Sequence, residues 1–148
     1  MRKERVRATP SWRNGGGRYD TVFLKLNNRQ RGFRALGLAR LHLLFYFHYS
    51  DVPYLCALVD DFVVVGNQPD ENTGLWRVKH SINPYNRHQV SRIIPLQDIR
   101  RTAHLIPVFR GTDLVPNHSI PETTLDSMRS GEFYVNKYVD HDAFETAF

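Results

Sequence analysis

The sequence predicts a mainly β protein, a compact antiparallel small β-barrel with a short helical C-terminal tail. Aromatic residues make up 12% of the 148-residue chain, a share that favours sheet packing over a helical bundle. Apolar and polar residues alternate in about six short segments separated by turn residues. No amphipathic segment long enough for a crossover helix lies between them, so a parallel α/β sheet is not expected.

The first two strands are predicted at residues 19–26 and 38–49, which both alternate with period two. In the second, Leu41 and Leu43 share one face with the two phenylalanines that follow. A helix could also be drawn over this segment, but its period and its aromatic content favour a long strand.

A third strand is predicted at residues 54–65, after a tight hairpin turn at residues 50–53 that contains Asp and Pro. Asp60 and Asp61 interrupt it. Two adjacent acids in an apolar strand indicate a bulge, a bend, or a rim where the strand leaves one sheet for another.

The loop at residues 67–74 has two interpretations. It either connects two strands, with Pro69 and Gly74 setting its turns and Trp76 anchoring its return, or it presents Asp70 and Glu71 to a partner. Connection is the default expectation.

The remaining elements complete a barrel that spans residues 19–111. We expect strands at 75–80, 89–94 and 104–109, and a short helical turn at 95–99. Residues 112–148 are expected to be a linker followed by short helices, because Tyr134 and Tyr138 have helical i, i+4 spacing. The five aromatic residues of this tail should pack on the barrel.

The positive net charge of +5 arises in residues 1–18, which hold six basic residues and one acidic residue and leave residues 19–148 balanced. An Arg-rich segment with three consecutive glycines cannot build a core, so we expect residues 1–18 to be a disordered basic arm. Such an arm could contact phosphates, act as a nuclear address, or be a solvated leader.

Composition also limits the location of the protein and its chemistry. With Cys56 as the single cysteine, no internal disulfide and no cysteine-cluster zinc site is possible, which favours an intracellular location. No apolar run is long enough for a membrane span, and no secretory signal is visible.

We expect no enzyme activity, no cofactor, no small-molecule substrate and no metal. The sequence contains no nucleophile elbow and no phosphate-binding glycine loop. Asp60 and Asp61 are adjacent and point to opposite faces of a strand, so they do not converge on one ion with Asp70 and Glu71. The acidic residues around His141 match no justified ligand spacing.

Two sets of residues are candidates for binding. Aromatic residues on or beside strands could hold a cationic side chain or an extended peptide, or could be ordinary core. Basic residues of the arm and body could contact a nucleic-acid backbone, or form a solvated rim. The peptide-binding candidates are Tyr46, Tyr54, Phe62 and Trp76. The nucleic-acid-binding candidates are Arg2, Lys3, Arg5, Arg7, Arg13, Arg18, Arg29, Arg31, Arg34, Arg100 and Arg101.

Three motifs in order carry a resemblance to known proteins: "YLCALVDDFVVVGNQPDENTGLWRV", "HLIPVF" and "FYVNKYVDHDAFETAF". They resemble the C-terminal region of fungal transposases of the Kyakuja–Dileera–Zisupton and Plavaka-like kind, over roughly residues 19–148. The chain departs from that pattern at Asn67, Gln68 and Asn72, where acids are usual. It also departs at Asp60, Asp61 and Asp142.

The resemblance implies a detached, non-catalytic accessory domain, because the catalytic carboxylates of such transposases lie in an upstream core that is not present here. It implies a nuclear location and a protein or chromatin partner, with DNA binding or an inactive remnant as alternatives. The strand pattern and "IIPLQDI" are also similar to BAH-type, SH3-like small barrels, a likeness of architecture that does not establish function.

Overall fold

In a computed structural model, which describes residues 3–26, 29–109 and 131–139, the chain is mainly β. Two short 3₁₀ turns, Gly32–Ala35 and Leu96–Asp98, are the helical elements of these ranges. The strands are β1 (Ala8–Thr9), β2 (Arg18–Tyr19), β3 (Thr21–Lys25), β4 (Leu36–Tyr49), β5 (Val52–Val64), β6 (Arg77–His80), β7 (Ser91–Pro95), β8 (Ile99–Ala103), β9 (Leu105–Pro107) and β10 (Glu132–Val135).

Eight strands form one antiparallel sheet in the order β8-β3-β4-β5-β6-β10-β9, with β7 paired to β5 beside this path. The sheet is nearly closed into a small barrel. The two end strands of the path, β8 and β9, are consecutive in the chain and separated only by His104. The predicted small antiparallel barrel is confirmed at this level.

The first core is built by five strands, β3, β4, β5, β7 and β8, together with the N-terminal segment. Val22, Leu41 and Val59 are completely buried in it. β7 and β8 are the two edge strands of this five-stranded group, yet Ile94 of β7 and Ile99 of β8 both pack into the same core. The sheet must therefore curl, and this core lies on its inner face.

The second core lies on the other face of the same strands. Phe23 and Phe62 of the curled sheet pack against Val78 of β6 and against Phe133 and Val135 of β10. The side chains of β3 are consequently buried on both faces, from Thr21 to Leu24. We call the face that carries this second core the outer face of the sheet.

Strand β5 passes from one set of partners to the other at the two acids. Up to Asp60 its free edge pairs with β7, and from Phe62 it pairs with β6. Asp61 sits at the change, where its backbone N–H donates to Val90 and its carbonyl accepts from Ser81. At the acidic pair β5 therefore changes partner on one edge, while on its other edge it stays paired with β4 in the same sheet.

Residues 3–18, which belong to the segment expected to be a disordered arm, contain the short strand β1 and the start of the short strand β2. Strands β1 and β2 pair with each other, and Val6 and Ala8 contact the first core. Glu4 pairs with Arg101 at 3.2 Å and accepts from the backbone N–H of Thr102. Two partly buried apolar residues between the arginines, Val6 and Ala8, thus attach this segment to the core.

The helical tail is wrong over residues 132–135. These residues form β10, which lies between β6 and β9 and pairs with both. Phe133 and Val135, two residues apart, both point into the second core. The strand period of two therefore determines the local structure, and not the helical spacing of Tyr134 and Tyr138. The predicted linker at residues 112–124 lies outside the described residues, as do residues 125–130 and 140–148 of the predicted tail.

Candidate functional site

The β4–β5 hairpin extends beyond the other strands. β3 pairs with β4 only from Leu36 to Arg40, whereas β4 and β5 stay paired as far as Tyr49 and Val52. Ser50 and Asp51 form the turn, with φ angles of 49° and 63°. Positive φ at both central residues is the type I′ geometry, whose twist matches that of a tight hairpin.

A β-bulge in β4 determines which side chains point outward. The register with β5 shifts between Leu41 and Leu43, so His42 is an extra residue on this strand. Because side chains alternate, one extra residue exchanges the two faces. Leu41 and Leu44 consequently both pack on the inner core. The prediction that Leu41 and Leu43 share a face is wrong for this reason.

Beyond the bulge, the outer face is apolar and has no second sheet over it among the described residues. We call this region the apolar face. It has no charged side chain, and its members come from three paired strands. They are Leu43, Phe45, Phe47 and Tyr49 of β4, Val52, Tyr54, Cys56 and Leu58 of β5, and Ile93 and Pro95 of β7.

The side chains of this apolar face are unusually exposed for their type. Ile93 is 63% exposed, Tyr49 is 69% exposed, and Leu43 is 50% exposed. Phe47 and Tyr54 are paired across the strands and stack at 5.3 Å between ring centroids with an interplanar angle of 15°. Stacking of this pair makes a flat aromatic platform near the tip of the hairpin.

Polar groups border the apolar face at its base. The Asp60 carboxylate lies against the His42 imidazole and accepts a hydrogen bond from the Ser91 hydroxyl. The ring of Tyr19 lies 5.9 Å from that of His42. Ser91 donates to the carboxylate and not to the imidazole, so this cluster does not have the arrangement that activates a nucleophilic serine. This polar cluster marks the end of the apolar face that lies nearest the barrel.

The four aromatic candidates for peptide binding do not converge. Tyr46 and Tyr54 both lie on the hairpin, but on opposite faces, because Tyr46 pairs with Leu55 and Tyr54 with Phe47. Phe62 is buried in the second core, where it stacks on His80 at 4.7 Å.

Trp76, the fourth candidate, packs at the edge of the same core. Its ring stacks on Phe33 at 5.3 Å, and the Arg34 guanidinium lies 5.5 Å from it. The structure therefore places Phe62 and Trp76 in a packing role and leaves the two tyrosines on exposed surface.

Three of the basic candidates surround one aromatic ring. Arg7, Arg13 and Arg18 lie 4.5, 5.4 and 5.2 Å from the Trp12 ring. Arg18 is also paired with Asp20 at 2.8 Å. Cation–π attraction of this kind holds the three guanidinium groups against the indole ring.

The other basic candidates fall into two separate regions. Arg5 and Arg101 line a cavity of about 290 Å³ with Arg18 and His104. Exposed Lys3 and Arg100 are neighbours of this group in the sequence. Arg29, Arg31 and Arg34 belong instead to the segment around the first 3₁₀ turn, where Arg34 donates to the carbonyl of Asn67. Arg2 lies outside the described residues.

The acidic loop after β5 is closed by its own hydrogen bonds. One Asp70 carboxylate oxygen accepts from the backbone N–H groups of Thr73 and Asn72 and from the Thr73 hydroxyl, at 3.0 to 3.1 Å. These bonds, led by the one from the Thr73 backbone, lower the pKa of Asp70. Asp70 therefore shapes the turn, which supports the interpretation of this loop as a connector, while Glu71 is exposed.

No group of three or more metal-ligating side chains lies together in residues 3–26, 29–109 and 131–139. The same ranges contain no helix with the length and apolar content of a membrane span. No protein-family model matches the chain, and neither a curated protein nor a solved structure matches it.

Sequence reasoning did not find most of the apolar face. Tyr54 is among the predicted binding residues, whereas Leu43 and Phe47 are predicted only to share a strand face and Ile93 only to lie in a strand. The available signal was that β4 and β5 are apolar on both faces near their shared turn. A strand that is apolar on both faces needs two covering layers.

Proposed function

We propose that this chain is a non-catalytic binding domain that binds another protein through the apolar face. The observation that carries the proposal is the three-stranded, uncharged and exposed surface of β4, β5 and β7. Soluble monomers rarely expose contiguous apolar patches larger than a few hundred Å², and larger ones mark interaction sites. Near β6 and β10, the same face of β5 is covered by Val78 and Phe133.

The fold class proposed with this function is an SH3-like barrel of the BAH type. It is supported by the five strands around the first core and by the 3₁₀ turn at Leu96–Asp98, which joins the edge strands β7 and β8. The transposase origin, the chromatin partner and the nuclear location rest on the three quoted motifs.

Binding to an apolar face has a characteristic salt dependence. Because no charged side chain lies among its ten residues, affinity should change little with ionic strength. A partner segment should supply large apolar side chains. Binding should bury the rings of Phe47 and Tyr54, so truncation of these two side chains should reduce affinity most.

Selection from a displayed library of random peptides tests the proposal. Enriched peptides should be apolar, and their affinity should fall at least tenfold in Phe47→Asp and Tyr54→Asp. The matched control is Tyr85→Asp, since Tyr85 is 95% exposed and lies in the loop between β6 and β7, away from this face. Peptides that bind all three variants equally, or no enrichment at a concentration where the chain is monomeric, would contradict the proposal.

Nucleic-acid binding is the second candidate function, favoured by the grouping of Arg5, Arg18 and Arg101 around one cavity. Deleting residues 1–18 would be a poor test, because Val6 and Ala8 belong to the first core. Charge removal at the exposed residues Lys3, Arg5 and Arg100 is cleaner.

An electrophoretic shift assay on duplex DNA at two salt concentrations tests this second function. Replacing Lys3, Arg5 and Arg100 together by Gln should weaken binding and reduce the salt slope by up to about three. The matched control replaces Arg29 and Arg31 in the separate basic segment. An unchanged salt slope in the triple variant would exclude this site.

A further inference from the structure

We infer that the partner of the apolar face is a second copy of this chain, packed face to face about a twofold axis. This inference rests on the proposed function and specifies its partner. Two observations carry it, the size of the apolar face and the way its rows of side chains match themselves after rotation.

The exposed area of the apolar face approaches what a dimer interface needs. Leu43, Phe47, Tyr49, Val52, Tyr54 and Ile93 are between 44% and 69% exposed. With about 200 Å² for a large side chain, these six residues leave roughly 600 Å² uncovered. The half-buried members of the face add to this. A standard interface buries about 800 Å² on each partner, so one copy presents most of the required surface.

The rows of the apolar face are self-complementary. From base to tip they are Ile93–Leu58–Leu43, then Pro95–Cys56–Phe45, then Tyr54–Phe47, and finally Val52–Tyr49. A twofold axis between the two middle rows places the aromatic tip of each copy over the aliphatic base of the other. Isologous interfaces need this kind of self-matching patch.

The absence of charge also favours a second copy. Heterologous partners are commonly selected by charge complementarity, which steers encounter and fixes register. The apolar face itself has no charged member with which to do so; at its borders lie Asp51 in the hairpin turn and, at the base, Asp60, which is engaged with His42. Two identical uncharged surfaces face each other without like-charge repulsion.

Cys56 provides a test that needs no engineered residue. It is the single cysteine of the chain, it is half-buried, and it lies in a middle row of the apolar face. Packed sheets lie about 10 Å apart, whereas a disulfide needs Cα atoms within about 7 Å. We therefore expect a short bismaleimide to link the two copies and direct oxidation to be inefficient.

Sedimentation velocity over a hundredfold concentration range, with bismaleimide cross-linking at each concentration, is the deciding experiment. The full chain should sediment with twice the monomer mass and give a covalent dimer that is lost in Cys56→Ser. Phe47→Asp and Leu43→Asp should raise the dissociation constant at least tenfold and remove the cross-link. Tyr85→Asp should do neither, and circular dichroism should show that all variants are folded.

The possible results test the dimer and the proposed function separately. A monomer at every concentration overturns the dimer, and the protein-binding function then stands or falls with the peptide selection. A dimer that persists in both Phe47→Asp and Leu43→Asp overturns the inference, since it uses another surface. Loss of dimer in Phe47→Asp with retention in Tyr85→Asp supports both.

Discussion

At the scale of single residues, three acidic side chains, Asp20, Asp61 and Asp70, stabilise a turn or a strand junction. Asp70 accepts three hydrogen bonds inside its own loop, and Asp20 accepts from the backbone N–H of Arg7 as well as from Arg18. Asp61 pairs with Arg92 at 2.7 Å where β5 changes partner. Of the acids weighed as metal ligands, Asp61 and Asp70 are therefore engaged in structural contacts.

The titration of Asp70 tests this structural role. Hydrogen bonds to the charged form, above all from the Thr73 backbone, hold its pKa below the ordinary value of 3.8. A depressed pKa in the folded state stabilises the loop above pH 3.8, and that contribution is lost as pH falls through the folded pKa.

An NMR titration of the carboxyl carbons should therefore show Asp70 with a pKa below 3.8. In Thr73→Ala the pKa of Asp70 should rise, because the hydroxyl donor is gone. Thr102→Ala is the matched control. A midpoint at or above 3.8 in the unmodified protein would show that the loop bonds do not form in solution.

At the scale of elements, sequence patterns locate the strands well and predict poorly how they are arranged. The strands of the central hairpin were predicted because their alternation spans a dozen residues. The bulge at His42 was not, since an extra residue shows only as a register shift against a partner strand. β10 was missed because four residues carry a weak period, and the position between β6 and β9 that it fills is a non-local property.

The turn of the β4–β5 hairpin offers a test at this scale. Ser50 and Asp51 both adopt positive φ, a conformation that costs a non-glycine residue roughly 1–2 kcal/mol. Asn-Gly is the preferred pair for this geometry. Replacing Ser50→Asn and Asp51→Gly together should raise the free energy of unfolding by about 1 kcal/mol, after the entropic cost of glycine.

Urea denaturation measures this difference. The control is Asp98→Gly in the second 3₁₀ turn, where φ is not positive and glycine should only destabilise. If the turn variant were less stable than the original chain, the hairpin would have another turn geometry.

At the scale of the whole molecule, one sheet has two cores on its two faces, and the outer one covers only part of its face. β6 and β10 cover the outer face near Phe62, and among the described residues no other strand covers it from Val59 to the hairpin turn. The barrel is predictable from the sequence but the second layer is not, because β10 reaches this layer from a distant part of the chain. The apolar face follows from this incomplete cover.

The contribution of β10 to the whole fold can be measured. Phe133 is 2% exposed and contacts Phe62 and His80 edge-on. Phe133→Ala should lower the free energy of unfolding by about 3–5 kcal/mol, the usual effect of truncating a buried phenylalanine. Tyr138→Ala, at a residue that is 65% exposed, should change it by less than about 1 kcal/mol. Equal effects of both substitutions would mean that β10 does not complete the second core.

Hydroxyl-radical footprinting at increasing protein concentration tests most directly whether the apolar face is the binding surface. Oxidation of Phe47, Tyr49 and Tyr54 should be fast in dilute protein and should slow as the partner copy covers them. Tyr85, outside the face, should be oxidised at one rate throughout. Slow oxidation of the three face residues at every concentration, or equal rates for them and Tyr85 throughout, would contradict the account.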